Sequence, residues 1–234
     1  MFIFIYMFLQ HYLKKNRTKP FEKKVKICLL IAHPDDEAMF FSPLLHQAKN
    51  VNSFKIICLT HKSSHRNEEL KNSLKIYNIP ESNLTTYNFA DSQTSSIVSD
   101  IGSKPELRNL TAQIKKLEAE DYIFFSFDEE GVSGHVNHKD CYTLLEKCLD
   151  LNVTQFFKLK SCSLVEKYLI PGMKLYRSSF TIFQTFEDWK VGFAAMSEGH
   201  VSQMIWFRYL YLCFSRYMWK NDYVMVSPDS NKNE

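Results

Sequence analysis

From Val25 to Ser161, short runs of consecutive apolar residues alternate with longer stretches in which apolar residues recur every three or four positions. The runs "VKICLLIA" (25–32), "FKIICLT" (54–60), "LTTYNF" (84–89), "YIFFSF" (122–127) and "QFFKLKS" (155–161) read as strands. Helices are expected over 38–49, 68–77, 107–118 and 138–149; Ile114 and Leu117, and Leu144, Leu145 and Cys148, keep helical spacing within theirs. Strand and helix in this alternation make βαβ units, so the expected fold class is α/β with an open, mainly parallel sheet. The polar stretch from Asp91 to Lys104 reads as a long loop, of the kind that is often functional.

Two polar clusters interrupt this pattern at equivalent places. "HPDDE" (33–37) follows the first strand directly, and "FDEEGVSGHVNH" (127–138) follows the fourth. Ligands bind open parallel sheets beyond the carboxyl ends of their strands, so both clusters are expected on one edge. Hydrolytic zinc sites take three ligands from His and Asp/Glu and keep one position for water. His33 and Asp36, three apart where strand turns into helix, can face one side, leaving Asp35 to hold the water and take its proton. A helix N-terminus beside them favours the anionic carboxylates. His135 and His138 offer the missing ligand and one further imidazole; if His138 completes the set, His135 is placed to meet a developing oxyanion. The reaction class is then metal-assisted hydrolysis. His200 reads as a residue that orders its segment through hydrogen bonds, because a fourth protein ligand would close the open position.

His33-Pro34-Asp35-Asp36-Glu37, with "GVSGHVNH" about a hundred residues later, resembles the LmbE/PIG-L metal-dependent de-N-acetylases, and "GHVSQMIWFRYLYLCFSRYMWKN" (199–221) is similar to the C-terminal signature of their eukaryotic branch. The resemblance implies a Rossmann-like three-layer domain and zinc, or another divalent cation, held by His33, Asp36 and His138. It also implies Asp35 as general base, His135 as oxyanion stabiliser, and Arg66 and Asp91 as substrate-binding residues. Arg66 is expected in the loop after the second strand. The substrate implied is the glycolipid N-acetylglucosaminyl-phosphatidylinositol, used in glycosylphosphatidylinositol anchor synthesis at the cytoplasmic face of the endoplasmic reticulum membrane. Two other readings stay open at this point: a soluble deacetylase of another N-acetylglucosamine conjugate, and a non-catalytic inositol-lipid-binding module.

Composition narrows the classes further. The chain has 234 residues, 45% of them hydrophobic, enough for one substantial core, and a net charge of only +3 with no long basic stripe, which argues against nucleic acid as a partner. Six scattered cysteines form no C-x-x-C pair and read as reduced structural thiols; Cys28, Cys58 and Cys213 lie in apolar runs and are expected in the core. The segment "MFIFIYMFLQHYL" is apolar but, at 13 residues, reaches only about 20 Å as a helix, short of a bilayer core of about 30 Å. Seven basic residues follow between Lys14 and Lys26. That order fits a short anchor or an interfacial helix, in contact with a membrane surface, with its basic flank on the cytoplasmic side. Residues 1–24 are accordingly read as anchor and basic flank, 25–226 as the deacetylase-like domain and 227–234 as a polar tail. The segment 204–219 is apolar almost all round, as a helix that is buried or in contact with lipid would be. With the domain on the cytoplasmic side, the sequons at Asn16, Asn83, Asn109 and Asn152 stay unmodified. The mass of the membrane-extracted chain will be the same before and after endoglycosidase; a glycosidase-dependent loss of mass would reverse the topology.

Overall fold

Strand β1 (Lys26–Ile31) lies inside a seven-stranded sheet, and every side chain from Ile27 to Ile31 is fully buried. A strand covered on both faces needs apolar residues at consecutive positions, which is why "ICLLI" shows no alternation. The computed structural model describes residues 21, 24–61, 63–91, 96–98, 104–168 and 178–228. Its other strands are β2 (Ser53–Cys58), β3 (Leu84–Thr86), β4 (Tyr122–Phe127), β5 (Phe156–Leu159), β6 (Phe180–Phe183) and β7 (Lys220–Val226), in the order β3-β2-β1-β4-β5-β7-β6. The strands from β3 to β5 pair in parallel, and β7 runs antiparallel to both β5 and β6.

The helices used below are α1 (Asp36–Phe40), α2 (Ser42–Leu45), α3 (Ser64–Ile76), α4 (Pro105–Ala119), α5 (Val136–Cys148), α6 (Leu164–Tyr168), α7 (Phe186–Ala194) and α8 (Trp206–Phe214). From β1 the chain steps outward through β2 and β3, then returns to the other side of β1 for β4 and β5. Right-handed crossovers in opposite directions put the connecting helices on opposite faces. Thus α3 packs with α7 and the wide helical turn Ala195–Gly199, while α4 packs with α5, giving three layers. Between β1 and β4 the order reverses, and a crevice opens beyond their carboxyl ends. Both polar clusters lie there.

Several sequence expectations are corrected. The helix expected over 38–49 is broken at Phe41 into α1 and α2, followed by a 3-10 turn at Ala48–Asn50; Pro43, in the first turn of α2, supplies no amide hydrogen to continue α1. β6 and β7 were not anticipated. In β7 the apolar run is hidden by Lys220, Asn221 and Asp222, all buried, with the Asp222 carboxylate paired to Arg216 and Lys220. The expected apolar helix over 204–219 is also shorter: α8 stops at Phe214, where Ser215 turns extended, and it buries only one side. Cys213 lies on its outward side and is exposed, unlike Cys28 and Cys58. The expected anchor lies outside the described residues except Phe21 and Lys24, and Phe21 sets its ring edge-on against Phe125 and Phe180. Of the polar tail, Ser227 and Pro228 are described.

Gly199 shows how closely the C-terminal segment is fitted to α3. A Cβ at this position would meet the Cα of Ser73 at 2.7 Å and its backbone nitrogen at 2.8 Å. Gly199→Ala is therefore expected to lower stability by about 1–3 kcal/mol, the usual cost of overpacking, measured by urea denaturation.

Candidate active site

β1 ends at Ile31, and the next residues form a tight turn closed by Asp36. Its Oδ2 accepts the backbone N–H groups of Ala32 (3.1 Å) and His33 (2.8 Å). This places Asp35 at φ 104°, a left-handed conformation that few side chains tolerate and Asp tolerates better than most. The Asp35 N–H donates to Glu37 Oε2 at 3.0 Å. Glu37 is fully buried, and its Oε1 accepts from the Ser73 hydroxyl and lies against His200 Nε2, each at 2.6 Å. The third acid of the motif thus fastens the turn that displays the other two. Burial alone would lower the basicity of His200, but the Glu37 carboxylate outweighs it and raises its pKa.

The second cluster is built from the end of β4. Asp128, fully buried, accepts the N–H of Gly131 (3.0 Å) and both the N–H (2.6 Å) and hydroxyl (2.5 Å) of Ser161. Gly131 has φ +67°, and a Cβ there would crowd the Cβ of His138 at 3.0 Å. Its carbonyl lies 3.0 Å from His138 Nδ1, so that nitrogen carries a ring proton and turns Nε2 inward, toward Asp36 and His33. The His138 ring also lies flat against Phe127, with centroids 4.1 Å apart.

The two clusters meet. His138 Nε2 is 3.2 Å from Asp36 Oδ1 and 3.3 Å from His33 Nδ1, which in turn is 3.6 Å from Asp36 Oδ2. Ligands about 2.0–2.1 Å from a tetrahedral ion are about 3.3 Å from one another, so these donors fit a divalent cation. A second group, His33, Asp91 and His135, also brings its ligand atoms within 4.8 Å of one another. There Asp91 Oδ1 lies 3.2 Å from His33 Nε2 and 3.5 Å from His135 Nε2. The first group is buried throughout and has its imidazole oriented by a carbonyl; the second is partly exposed. The first is the better cradle for an ion.

Electrostatics separate the two adjacent acids. Burial would raise the pKa of Asp36, but His138 and His33 outweigh it and hold the carboxyl well below its ordinary value. Asp35 is pushed up to about 6 by burial and by the neighbouring Asp36 charge, against the opposing pull of Arg208 and Arg66. Burial works against the charged form of His33 too, yet Asp36, Asp91 and Asp35 raise its pKa. For His135 burial, with His33 and His138 nearby, lowers it.

All seven residues singled out in the sequence, His33, Asp35, Asp36, Arg66, Asp91, His135 and His138, line one cavity of about 440 Å³. Arg66 lies in the first turn of α3, not in the preceding loop, because Ser63 caps that helix by accepting the Arg66 N–H. Its guanidinium reaches the Pro34 carbonyl and Asp35 Oδ2, the latter at 3.4 Å. Arg208 approaches the same oxygen at 3.3 Å; as a cation inside an apolar run it carries no sequence signal of a role at this site. Glu37 had also been left without a role.

A family model described as GlcNAc-PI de-N-acetylase, PIG-L, matches residues 28–149. The N-acetylglucosaminyl-phosphatidylinositol de-N-acetylase of Bos taurus is 32% identical over 81% of this chain and 79% of its own, and that of Saccharomyces cerevisiae 28% identical over 85% and 80%. Among solved structures, the N,N'-diacetylchitobiose deacetylase of Pyrococcus horikoshii superposes with a TM-score of 0.61 at 13% identity, covering 96% of this chain and 94% of that one. GalB of Pseudomonas putida, a 4-carboxy-2-hydroxymuconate hydratase, gives 0.57 at 10% identity over 87% and 97%. These two likenesses establish a shared fold, and one being a deacetylase and the other a hydratase, the fold alone does not select the reaction.

A carboxyl whose pKa rises on folding takes stability away as pH climbs from the ordinary carboxylate range through its folded value. In the metal-free protein, Asp35→Asn removes that penalty and suits the left-handed backbone. It is expected to stabilise the fold by about 1–3 kcal/mol at neutral pH, with the gain fading as pH falls below about 6. Thermal melts of both proteins across pH, with chelator present, will measure it.

Proposed function

This chain belongs to the PIG-L family of GlcNAc-PI de-N-acetylases, and from that premise we propose that it hydrolyses the acetamide of N-acetylglucosaminyl-phosphatidylinositol, releasing acetate and the free amine, in glycosylphosphatidylinositol anchor synthesis. The observation that carries this reading is the 3.2 Å approach of Asp36 Oδ1 to His138 Nε2, side chains more than a hundred residues apart in the chain. His33, Asp36 and His138 would hold the divalent cation; zinc is proposed because tetrahedral His/carboxylate sites suit it, and iron accepts the same donors. When bound there, such a cation polarises a carbonyl and makes hydroxide available at neutral pH.

The chain's own side chains divide the remaining work. Asp35 accepts the proton of the attacking water and delivers it to the departing amine. Arg66 and Arg208 both sit on Oδ2 of Asp35, so Oδ1 is the oxygen assigned to that proton. His135 Nδ1 accepts the Asn137 N–H at 3.3 Å, which leaves the ring proton on Nε2. With its pKa lowered, His135 stays neutral and donates this hydrogen to the acetamide oxygen as negative charge develops. Asp91, beside His135, is assigned to the sugar hydroxyls, and Arg66 to the head group.

The proposed location is the endoplasmic reticulum membrane, with this domain facing the cytoplasm. It is supported by the apolar segment and basic flank at the N-terminus, which lie almost wholly outside the described residues. Among the described residues no helix is long and apolar enough to cross a membrane.

The test is metal analysis of the purified full chain together with acetate release from N-acetylglucosaminyl-phosphatidylinositol. Asp35→Asn is expected to retain the metal and lose about 10²–10⁴ in turnover, whereas His138→Ala loses the metal as well. Wild-type protein that carries metal and releases no acetate, or Asp35→Asn turning over at the wild-type rate, would end the proposal.

A further inference from the structure

Helix α8 reverses the usual arrangement of a surface helix. Its inward side carries the half-buried Arg208 and the buried Tyr211 and Leu212. Its outward side carries Trp206 (75% exposed), Phe214 (62%), Leu210 (50%), Phe207 (48%) and Tyr209 (46%), together with Cys213, and no charge. Val201 and Ile205, just before the helix, are 63% and 48% exposed. Surface helices ordinarily turn their charges to water, and a contiguous apolar patch of this kind marks an interaction surface.

Position, charge and composition together identify the occupant. Phe207, Arg208 and Tyr211 line the cavity that holds Asp35, so the apolar surface adjoins that cavity. Lys167 of α6 lines the same cavity, with its ammonium 5.1 Å from the centre of the Tyr211 ring. Arg208 and Lys167 thus offer two cations beside an apolar surface, the complement of a phosphodiester attached to acyl chains. Trp and Tyr in that surface suit the boundary between hydrocarbon and water.

We propose that the outward face of α8, with Trp206, Leu210 and Phe214 at its centre, docks onto the membrane leaflet that contains the substrate. The head group then enters the cavity while its acyl chains stay in the bilayer. This rests on reading the site as a glycolipid hydrolase, but its first test does not depend on turnover. The full chain is reconstituted into vesicles of phosphatidylcholine and phosphatidylinositol with brominated acyl chains, which quench tryptophan on contact. The chain has three tryptophans, at 189, 206 and 219. Trp206→Phe is expected to abolish most of the bromine-dependent quenching. If the wild type is not quenched, or Trp206→Phe leaves the quenching intact, another occupant such as residues 1–20 or a second copy covers this face and the proposal fails.

Turnover supplies the second arm. Replacing Trp206 and Leu210 by serine is expected to slow acetate release from vesicle-embedded substrate by about tenfold or more, and to leave release from the deacylated, water-soluble head group unchanged. Equal losses on both substrates overturn the docking role. Wild-type protein inactive on both rejects the hydrolase reading instead, and the quenching result still decides the docking surface.

Discussion

Asp36 is an ionised carboxylate with almost no access to water, and it sits where the carboxyl end of the first strand meets the second polar cluster. Withdrawing such a charge from water costs several kcal/mol unless donors replace the lost hydration. Here two backbone N–H groups take one oxygen and an imidazole from a distant turn faces the other. Local chain geometry supplies the first compensation, but only correct packing of β4 and α5 against β1 supplies the second. The same charge then acts on its neighbour. With Asp36 held ionised, adjacent buried Asp35 is driven up to about 6, so two acids side by side in sequence acquire opposite tendencies. Such divergence is how one site comes to contain both a permanent anion and a proton acceptor.

The left-handed backbone at Asp35 has to be held from outside the motif, because a strained turn persists only where its surroundings determine it. Glu37 receives the Asp35 N–H and is itself held by Ser73 on α3 and by His200. Next to His200, Ser202 gives both its N–H and its hydroxyl to Glu69 on α3, each at 2.7 Å. Tyr211 donates to the Met39 carbonyl at 3.1 Å, and Trp189 to the Leu212 carbonyl at 2.8 Å. The C-terminal segment therefore buttresses the first motif through buried hydrogen bonds, and brings Arg208 to Asp35 in doing so.

What the sequence made legible followed from simple constraints. Strands buried on both faces must be apolar at consecutive positions, so β1, β2 and β4 stood out, and polar residues directly after β1 and β4 had to lie at the carboxyl edge. The convergence of His33, Asp35 and Asp36 with His135 and His138 followed from that placement. Elements whose polar residues are buried in pairs escaped notice: β7 begins with Lys220, Asn221 and Asp222, whose burial depends on Arg216 from outside the strand. The roles of Arg208 and Glu37 are illegible in the sequence for a related reason. Each is tied to partners far away in sequence, Ser73 and His200 for Glu37 and Asp35 for Arg208, and no local period or spacing encodes such contacts.

The cavity is assembled from two parts of the chain. His33, Asp35, Asp36, Arg66, Asp91, His135 and His138 all fall within residues 28–149, the part matched by the family model. Lys167, Tyr168, Gln203, Phe207, Arg208 and Tyr211 complete the same cavity from beyond it. A parallel sheet fixes the ends of β1 and β4 relative to each other, and the later segments hold the first motif through His200 and Arg208 while walling the same cavity. The two solved structures share the fold but are a deacetylase and a hydratase, so the sheet alone does not set the reaction; in this chain α6 and α8 wall the cavity. In this chain that wall carries two cations within and an apolar face without.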